Sequence, residues 1–235
     1  MTTKISVITP TADQPMGIEL LEKYMARQTV QPDEWIVSDD GISHARLTMG
    51  QKHIARPRTH DKGQSLAQNI IKGLEVVTGN IVLIMEHDDY YAPNHIEVCV
   101  NALEKAEAAG SKTQRYYNVE HRCWLVMANV GSSLCNTAFH AKHIPMMHTA
   151  ARVAFSSNLY SLDRIFWDSM TPRYKVNLHD INTVVGIKGL PGRVGLGLGH
   201  RPDKTRPWKY DKDLSKLREW IGDDADNYLI EATDD

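Results

Sequence analysis

Three carboxylates follow a short apolar run in the first half of the chain. Residues 81–85 read Ile-Val-Leu-Ile-Met, which is long enough for a buried strand and too short to cross a membrane. Glu86, Asp88 and Asp89 come directly after it. Carboxylates crowded at a strand end repel one another unless a cation joins them, and a hard divalent ion is the usual partner. The stretch predicts a divalent metal site, and an acidic turn before a helix near Pro93 is the alternative.

Polar residues also end the two strands predicted upstream. Residues 4–9 alternate around Ile5, Val7 and Ile8, and residues 35–38 form a short apolar run. The helical pattern between these two segments predicts a parallel pair of strands with a right-handed crossover. Ligands bind beyond the carboxyl ends of such strands, where Thr9 to Thr11 and Asp39-Asp40 would meet. An Asp there can accept a hydrogen bond from the N–H of a pyrimidine ring. An Asp-Asp-Gly turn that satisfies its own backbone is the alternative.

The elements around these residues predict an α/β fold with a mostly parallel sheet. Apolar spacing predicts one helix after Gly63 and another from Pro93 to about Ala109, with Gln64 and Asn69 near the start of the first. From Gln114 the runs become shorter and β-like, as in an antiparallel extension of the same sheet. We expect a single domain, with a nucleotide-binding half (1–110), an acceptor-side half (111–200) and a basic segment with a helix (201–235).

A further carboxylate, Asp163, is a candidate general base. It lies beside the apolar stripe of a helix predicted to begin at Ser156 or Ser157. A carboxyl group shielded from water there has a raised pKa and can take a proton from a hydroxyl group. The alternative is a surface Asp paired with Arg164 or Arg173.

A glycine-rich stretch, residues 184–200, precedes a basic segment. Its six glycines indicate a mobile backbone that can approach a ligand closely. We interpret it as a lid, with a phosphate-binding group that consists of Arg201, Lys204 and Arg206. A flexible linker to the terminal helix is the alternative.

The charge distribution favours an anionic ligand. The formal net charge is −2, but residues 44–62 carry five Lys or Arg against one Asp, and residues 193–218 carry eight against three. Two basic blocks of this kind also suit a nucleic acid backbone.

The three cysteines have no zinc-site spacing, and we expect them to be reduced. No run reaches transmembrane length and the first residues lack a signal-peptide core, so we expect a soluble, cytoplasmic protein.

Taken together, these residues resemble the nucleotide-sugar glycosyltransferases of the GT-A fold, particularly the family-2 type. The resemblance covers about residues 4–110. It comprises Ile5-Ser6-Val7-Ile8-Thr9-Pro10-Thr11, Trp35-Ile36-Val37-Ser38-Asp39-Asp40-Gly41, the stretch from Gly63 through Asn69, and Glu86-His87-Asp88-Asp89 as an Asp-x-Asp metal motif. Glu86 stands where Asp is usual.

The resemblance implies a role for each of these residues. Thr9, Pro10, Thr11 and Asp40 would surround the nucleotide base, with Asp39, Gln64 and Asn69 nearby. Asp88, assisted by Glu86 or Asp89, would bind Mn²⁺ or Mg²⁺ against the donor diphosphate. His200 resembles the late histidine that completes the metal shell, and Asp163 falls where these enzymes carry the acceptor-side base, although Leu162 replaces the acid that often precedes it.

The predicted function is therefore metal-dependent transfer of a sugar from a nucleoside diphosphate sugar, expected to be a UDP-sugar, with inversion. A glycan or a small molecule is the expected acceptor, and a soluble enzyme that glycosylates a hydroxylated DNA base is an alternative. A nucleotidyltransferase is a rival, although Thr9 to Asp13 lacks the glycine- and basic-rich loop of that class. A non-catalytic nucleotide-binding module is the third possibility.

Overall fold

The computed structural model describes residues 2–58, 62–128, 131–157, 161–179, 182–192, 195, 197, 199–202 and 205–229. The six α-helices of these residues are α1 (Pro15–Ala26), α2 (Lys62–Leu74), α3 (His95–Leu103), α4 (Ile144–Ser157), α5 (Leu162–Met170) and α6 (Ser215–Ile221). The strands are β1 (Ile5–Thr11), β2 (Glu34–Asp39), β3 (Lys52–Ala55), β4 (Ile81–Ile84), β5 (Tyr90–Tyr91), β6 (Ala108–Ser111), β7 (Thr113–Asn118), β8 (Cys123–Ala128), β9 (Ala138–His140), β10 (Val176–His179), β11 (Val184–Lys188) and β12 (Lys209–Tyr210).

The main sheet has seven strands in the order β10-β6-β9-β4-β1-β2-β3. The four strands from β4 to β3 are parallel, so their carboxyl ends share one edge. β9 is antiparallel to both of its neighbours. A second sheet has the order β12-β8-β7-β11-β5. The expected antiparallel extension is thus present but divided between the two sheets.

Alternating residues of the central strands build two cores, one on each face of the main sheet. Val7 and Leu83 pack with α1, α3 and α6, whereas their neighbours Ile8 and Val82 pack with α2, α4 and α5. Successive side chains of a strand point to opposite faces, so a strand covered on both sides needs a continuous apolar run. This requirement explains why these strands were recognisable in the sequence.

Four predicted boundaries were wrong. The helix after Pro93 ends at Leu103, and residues 108–111 form β6, because β9 and β10 pair with them. Ser157 ends α4, and the next helix begins at Leu162. Residues 184–188 belong to β11, so only the rest of the glycine-rich stretch lies outside a strand. β1 also continues through Pro10 to Thr11.

The three cysteines are buried free thiols, as expected. Within the described ranges, we find no helix with the length and apolar character needed to span a membrane.

Candidate active site

A cavity of about 370 Å³ opens at the carboxyl ends of β1 and β4. Its walls combine the acidic stretch after β4, the amino-terminal turns of α2 and α5, the end of β11 and part of the glycine-rich stretch. Of the predicted site residues, it is lined by Pro10, Thr11, Asn69, Glu86, Asp88, Asp89, Asp163 and His200. Folding therefore brings together donor-side and acceptor-side candidates that lie far apart in the sequence.

The acidic stretch is held in place by the backbone around it. Asp89 is buried, and its Oδ1 accepts a hydrogen bond from the Ile187 N–H at 3.1 Å. The Glu86 N–H donates to the Tyr91 hydroxyl at 2.7 Å, and His87 Nδ1 lies 2.9 Å from the Pro10 carbonyl oxygen. These contacts fix the turn after β4 against the end of β1 and against β11.

The acidic side chains do not titrate alike. Burial, followed by the charges of Asp89 and Asp88, raises the pKa of Glu86 well above its ordinary value. Burial likewise raises the pKa of Asp89 to about 6, against the attraction of Lys188. Burial opposes ionisation of Asp88 too, but the Lys188 ammonium group prevails and holds its pKa well below the usual range. Burial thus favours the neutral forms of Glu86 and Asp89, whereas Lys188 favours the ionised form of Asp88.

Lys188 is a site residue that the sequence analysis missed. Its Nζ lies 3.0 Å from Asp88 Oδ2 and 2.9 Å from Asp89 Oδ1, and its side chain is 9% exposed. It ends the apolar run of β11, just as the carboxylates follow the run of β4. The same strand-end rule would have found it, but the surrounding glycines led us to interpret the segment as a lid.

The base side of the cavity is formed by the end of β1 and the start of α2. Pro10 and Thr11 line the cavity together with Ser65 and Asn69. Thr9 faces the core instead, where its hydroxyl accepts a hydrogen bond from Trp35 Nε1 at 2.9 Å.

Asp40 lies behind this wall, fully buried, and supports it. Its Oδ2 accepts from the Ser65 hydroxyl at 2.5 Å and lies 3.4 Å from Arg56. Its Oδ1 accepts from Asn69 Nδ2 at 3.1 Å. Asp40 thus positions two side chains that line the cavity, and its own side chain is not part of the lining.

Two other predicted nucleotide-binding residues make contacts within the protein. Asp39 accepts hydrogen bonds from the backbone N–H groups of Gly41 and Ala45, each at 2.7 Å, and so closes the loop after β2. Gln64 donates to the Phe155 carbonyl oxygen of α4 at 3.3 Å. Neither residue lines the cavity.

Asp163 faces the same cavity from the first turn of α5. It is partly buried, and its Oδ1 accepts from the Arg164 N–H at 2.8 Å. Burial raises its pKa despite this and other backbone hydrogen bonds. Arg164 pairs instead with Asp168, and both of those side chains are mostly exposed. Asp163 is therefore a shielded carboxylate, as a general base requires.

The glycine-rich stretch brings His200 to the acidic cluster. His200 Nε2 lies 3.7 Å from Asp88 Oδ2, and Asn118 holds the backbone nearby by donating to the Gly199 carbonyl oxygen at 2.8 Å. Gly192 has φ +114°, and a Cβ there would meet the Asp13 carbonyl oxygen at 2.6 Å. The stretch therefore crosses close over the loop after β1.

The described residues of the predicted phosphate-binding group lie outside the lining of the cavity. Arg201 and Arg206 are exposed and do not line the cavity. Lys204 lies outside the described residues.

A mostly parallel sheet between helices, with a cavity at the carboxyl ends of its strands, is typical of α/β proteins that bind a ligand at this edge. The model of the family "Glycosyl transferase family 2" matches residues 6–153, which is more than half of the chain. The chain belongs to glycosyl transferase family 2. This confirms the family resemblance inferred from the sequence.

Solved structures support the fold. S. aureus TarS is similar to this chain with a TM-score of 0.53 and 13% identity, over 78% of this chain and 36% of TarS. The structure of S. aureus TarS 1-349 in complex with UDP gives a TM-score of 0.52 and 14% identity, over 78% of this chain and 60% of that one. The chain thus spans less than two thirds of either protein. No curated protein sequence matches it.

Proposed function

We propose that this protein transfers a sugar from a nucleoside diphosphate sugar, with UDP as the nucleotide, to an acceptor hydroxyl group with inversion. The transferred sugar is a hexose or a pentose. One observation carries the proposal: a single cavity is lined both by the acidic cluster after β4 and by the shielded carboxylate Asp163. Family membership and the UDP bound to the similar TarS 1-349 support this choice of donor.

The base of the donor would lie between the end of β1 and the start of α2. Pro10 and Thr11 would contact it directly, while Asp40 would act through Ser65 and Asn69. Thr9, Asp39 and Gln64 would support this wall from behind. The basic segment after the glycine-rich stretch would add positive charge near the diphosphate. Its residues are Arg201, Lys204 and Arg206.

The acidic cluster fits a divalent cation. Oxygen atoms of Glu86 and Asp89 lie within 4.8 Å of one another and of the Cys135 sulfur. Burial, with a smaller contribution from neighbouring carboxylates, raises the pKa of both carboxyl groups, and a bound cation would favour their ionised forms. Hard oxygen ligands favour Mg²⁺ or Mn²⁺. We propose that Glu86, Asp88, Asp89 and His200 hold this ion. When bound, such an ion supplies positive charge that stabilises a diphosphate leaving group.

Asp163 would take the proton of the acceptor hydroxyl group. As the acceptor oxygen bonds to the anomeric carbon, the bond from that carbon to the diphosphate oxygen breaks, and the electron pair leaves with the diphosphate. Attack from the side opposite the leaving group inverts the anomeric configuration. The proton remains on the Asp163 carboxylate, whose burial favours the neutral form.

The pH dependence of transfer follows from the raised pKa of Asp163. Only the ionised carboxylate can accept a proton, so kcat/KM should fall as the pH decreases through this pKa. The acid limb should lie above the ordinary Asp value of about 4. The measurement is kcat/KM across the acid range, with UDP binding followed in parallel so that loss of donor binding is recognised. A flat profile with intact donor binding would contradict the assignment.

The experiment that tests the function is a thermal-shift screen of nucleotides and nucleotide sugars with and without Mn²⁺. Uridine nucleotides at about 100 times Kd should raise Tm by roughly 5–10 °C in the presence of Mn²⁺, because they bind only the folded state. Stabilisation by a uridine diphosphate sugar should exceed that by purine nucleotides. If no nucleotide raises Tm, the proposal is wrong.

The acceptor that the structure supports best is a hydroxyl group of a glycan or a small molecule. The basic block at 44–62 offers DNA less charge than its sequence indicates, because Arg56 pairs with Asp40 and Arg58 pairs with Asp13. A DNA acceptor would instead make the DNA affinity of the protein fall steeply with salt concentration. The slope of that dependence would be set by the number of phosphates contacted.

A cytoplasmic location stays a prediction.

A further inference from the structure

Lys188 holds the two carboxylates that the proposed cation would need. Its Nζ lies about equally far from Asp88 and Asp89, at 3.0 and 2.9 Å. These distances are those of charge-assisted hydrogen bonds, so the ammonium group is a resident counter-ion of the cluster.

The backbone that carries Lys188 is fixed. β11 pairs with β5, which directly follows the acidic stretch, and also with β7. The Ile187 N–H donates a hydrogen bond to Asp89. Gly199 packs closely against the Lys188 side chain, since a Cβ added at Gly199 would lie 3.2 Å from Lys188 Cγ. Lys188 therefore cannot leave the site by movement of its strand.

The side chain can nevertheless change partners. A lysine ammonium is a compact point charge on a flexible four-carbon stem, so its bonds can be exchanged without backbone movement. Lysines are rarely buried unless they are paired. Any group that takes the carboxylates from Lys188 must leave it another anion, and the diphosphate of the donor would occupy this same cavity.

We propose that Lys188 binds the donor diphosphate by exchanging partners. Its ammonium group holds Asp88 and Asp89 while the site is empty, and turns to the diphosphate oxygens when a divalent cation takes those carboxylates. This inference rests on the proposed function. It assigns Lys188 as a donor-binding residue that competes with the cation.

Competition between the Lys188 ammonium group and the cation for the same carboxylates predicts a pattern of binding affinities that a purely structural role of Lys188 would not produce. Removal of the ammonium group frees the carboxylates for the cation, so cation affinity without nucleotide should rise. The same change removes a positive charge from the diphosphate, so nucleotide affinity with the cation present should fall. The two affinities therefore move in opposite directions, whereas general damage to the site would weaken both.

The test uses Lys188→Met and Lys188→Gln, with Lys142→Met as the matched control. The Lys142 side chain is 63% exposed and pairs with Glu107, outside the cavity lining. Mn²⁺ binding is measured without nucleotide, and UDP binding is measured at saturating Mn²⁺. In Lys188→Met we expect Mn²⁺ to bind on the order of tenfold more tightly and UDP on the order of tenfold more weakly. The control should change neither affinity.

Lys188→Gln provides the result if the Met variant does not fold, because its amide can still donate hydrogen bonds to the carboxylates. It should show shifts of the same two signs, with its fold checked by circular dichroism. Unchanged affinities, or shifts of both affinities in one direction, would overturn the role of Lys188. If the unmodified protein binds no UDP in the presence of Mn²⁺, the proposed function itself fails, so the two failures are distinguishable.

Discussion

Asp163→Asn should lower the rate of sugar transfer by about 10²–10⁴-fold while UDP binding stays unchanged. The amide has nearly the same shape as the carboxylate, so it can keep the contact with the Arg164 N–H at the start of α5. It cannot accept a proton at any pH near neutrality. The measurement is kcat with saturating donor and acceptor, together with the Kd of UDP in the presence of Mn²⁺.

Asp168→Asn is the matched control because it makes the same change on the same helix. Asp168 is 57% exposed and pairs with Arg164 at the surface. Its replacement should leave both kcat and the UDP Kd unchanged. If Asp163→Asn turns over at the unmodified rate, Asp163 is not the base. If it loses UDP binding as well, its effect is on the cavity rather than on proton transfer.

The predictions from sequence succeeded where buried strands end in polar residues. β1, β2 and β4 are covered on both faces, so each is largely apolar, and polar residues lie at or just after its end. Those of β1 and β4 line the cavity, whereas Asp39 and Asp40 at the end of β2 do not. The position of Asp88 after β4 and the family resemblance both follow from this pattern. Asp163 was predicted to lie beside an apolar helical stripe, and it does lie in the first turn of α5 with a partly buried side chain. Its role as a base stays a prediction.

The predictions failed where pairing with distant residues decides the structure. Ala108 and Ala109 suit the end of a helix, but residues 108–111 form a strand because β9 and β10 supply partners on both sides. β11 likewise forms between β7 and β5, and its glycine at position 186 obscured it. Such partners cannot be read from a local window. Lys188 was missed because the glycines in and after β11 indicated a lid rather than a strand.

The placement of Asp40 shows the same limit within the site. The family resemblance assigns it to the base, but its hydrogen-bond partners Ser65 and Asn69 are 25 and 29 residues away. Their side chains, and not that of Asp40, line the cavity. Polar residues at strand ends therefore predict where the site lies. They do not predict which of the side chains there contacts the ligand.

Asp40→Ala should lower the free energy of unfolding by about 3–5 kcal/mol, because it leaves the Arg56 guanidinium without its buried partner carboxylate. Ser65 and Asn69 also lose an acceptor. For a chain of this size the loss corresponds to a decrease in Tm of roughly 6–20 °C. The measurement is urea or thermal unfolding of the ligand-free protein.

Asp168→Ala is the control for this prediction too, since an exposed ion pair contributes at most about 1 kcal/mol. Asp40→Asn separates support of the wall from contact with the base, because it keeps the shape of the side chain but removes the charge. If Asp40 supports the base side of the cavity, this variant should be less stable than the unmodified protein in the absence of ligand. Its UDP affinity should then decrease only indirectly, because Ser65 and Asn69 change position. If it keeps full stability and loses UDP binding, Asp40 contacts the nucleotide directly and the supporting role is wrong.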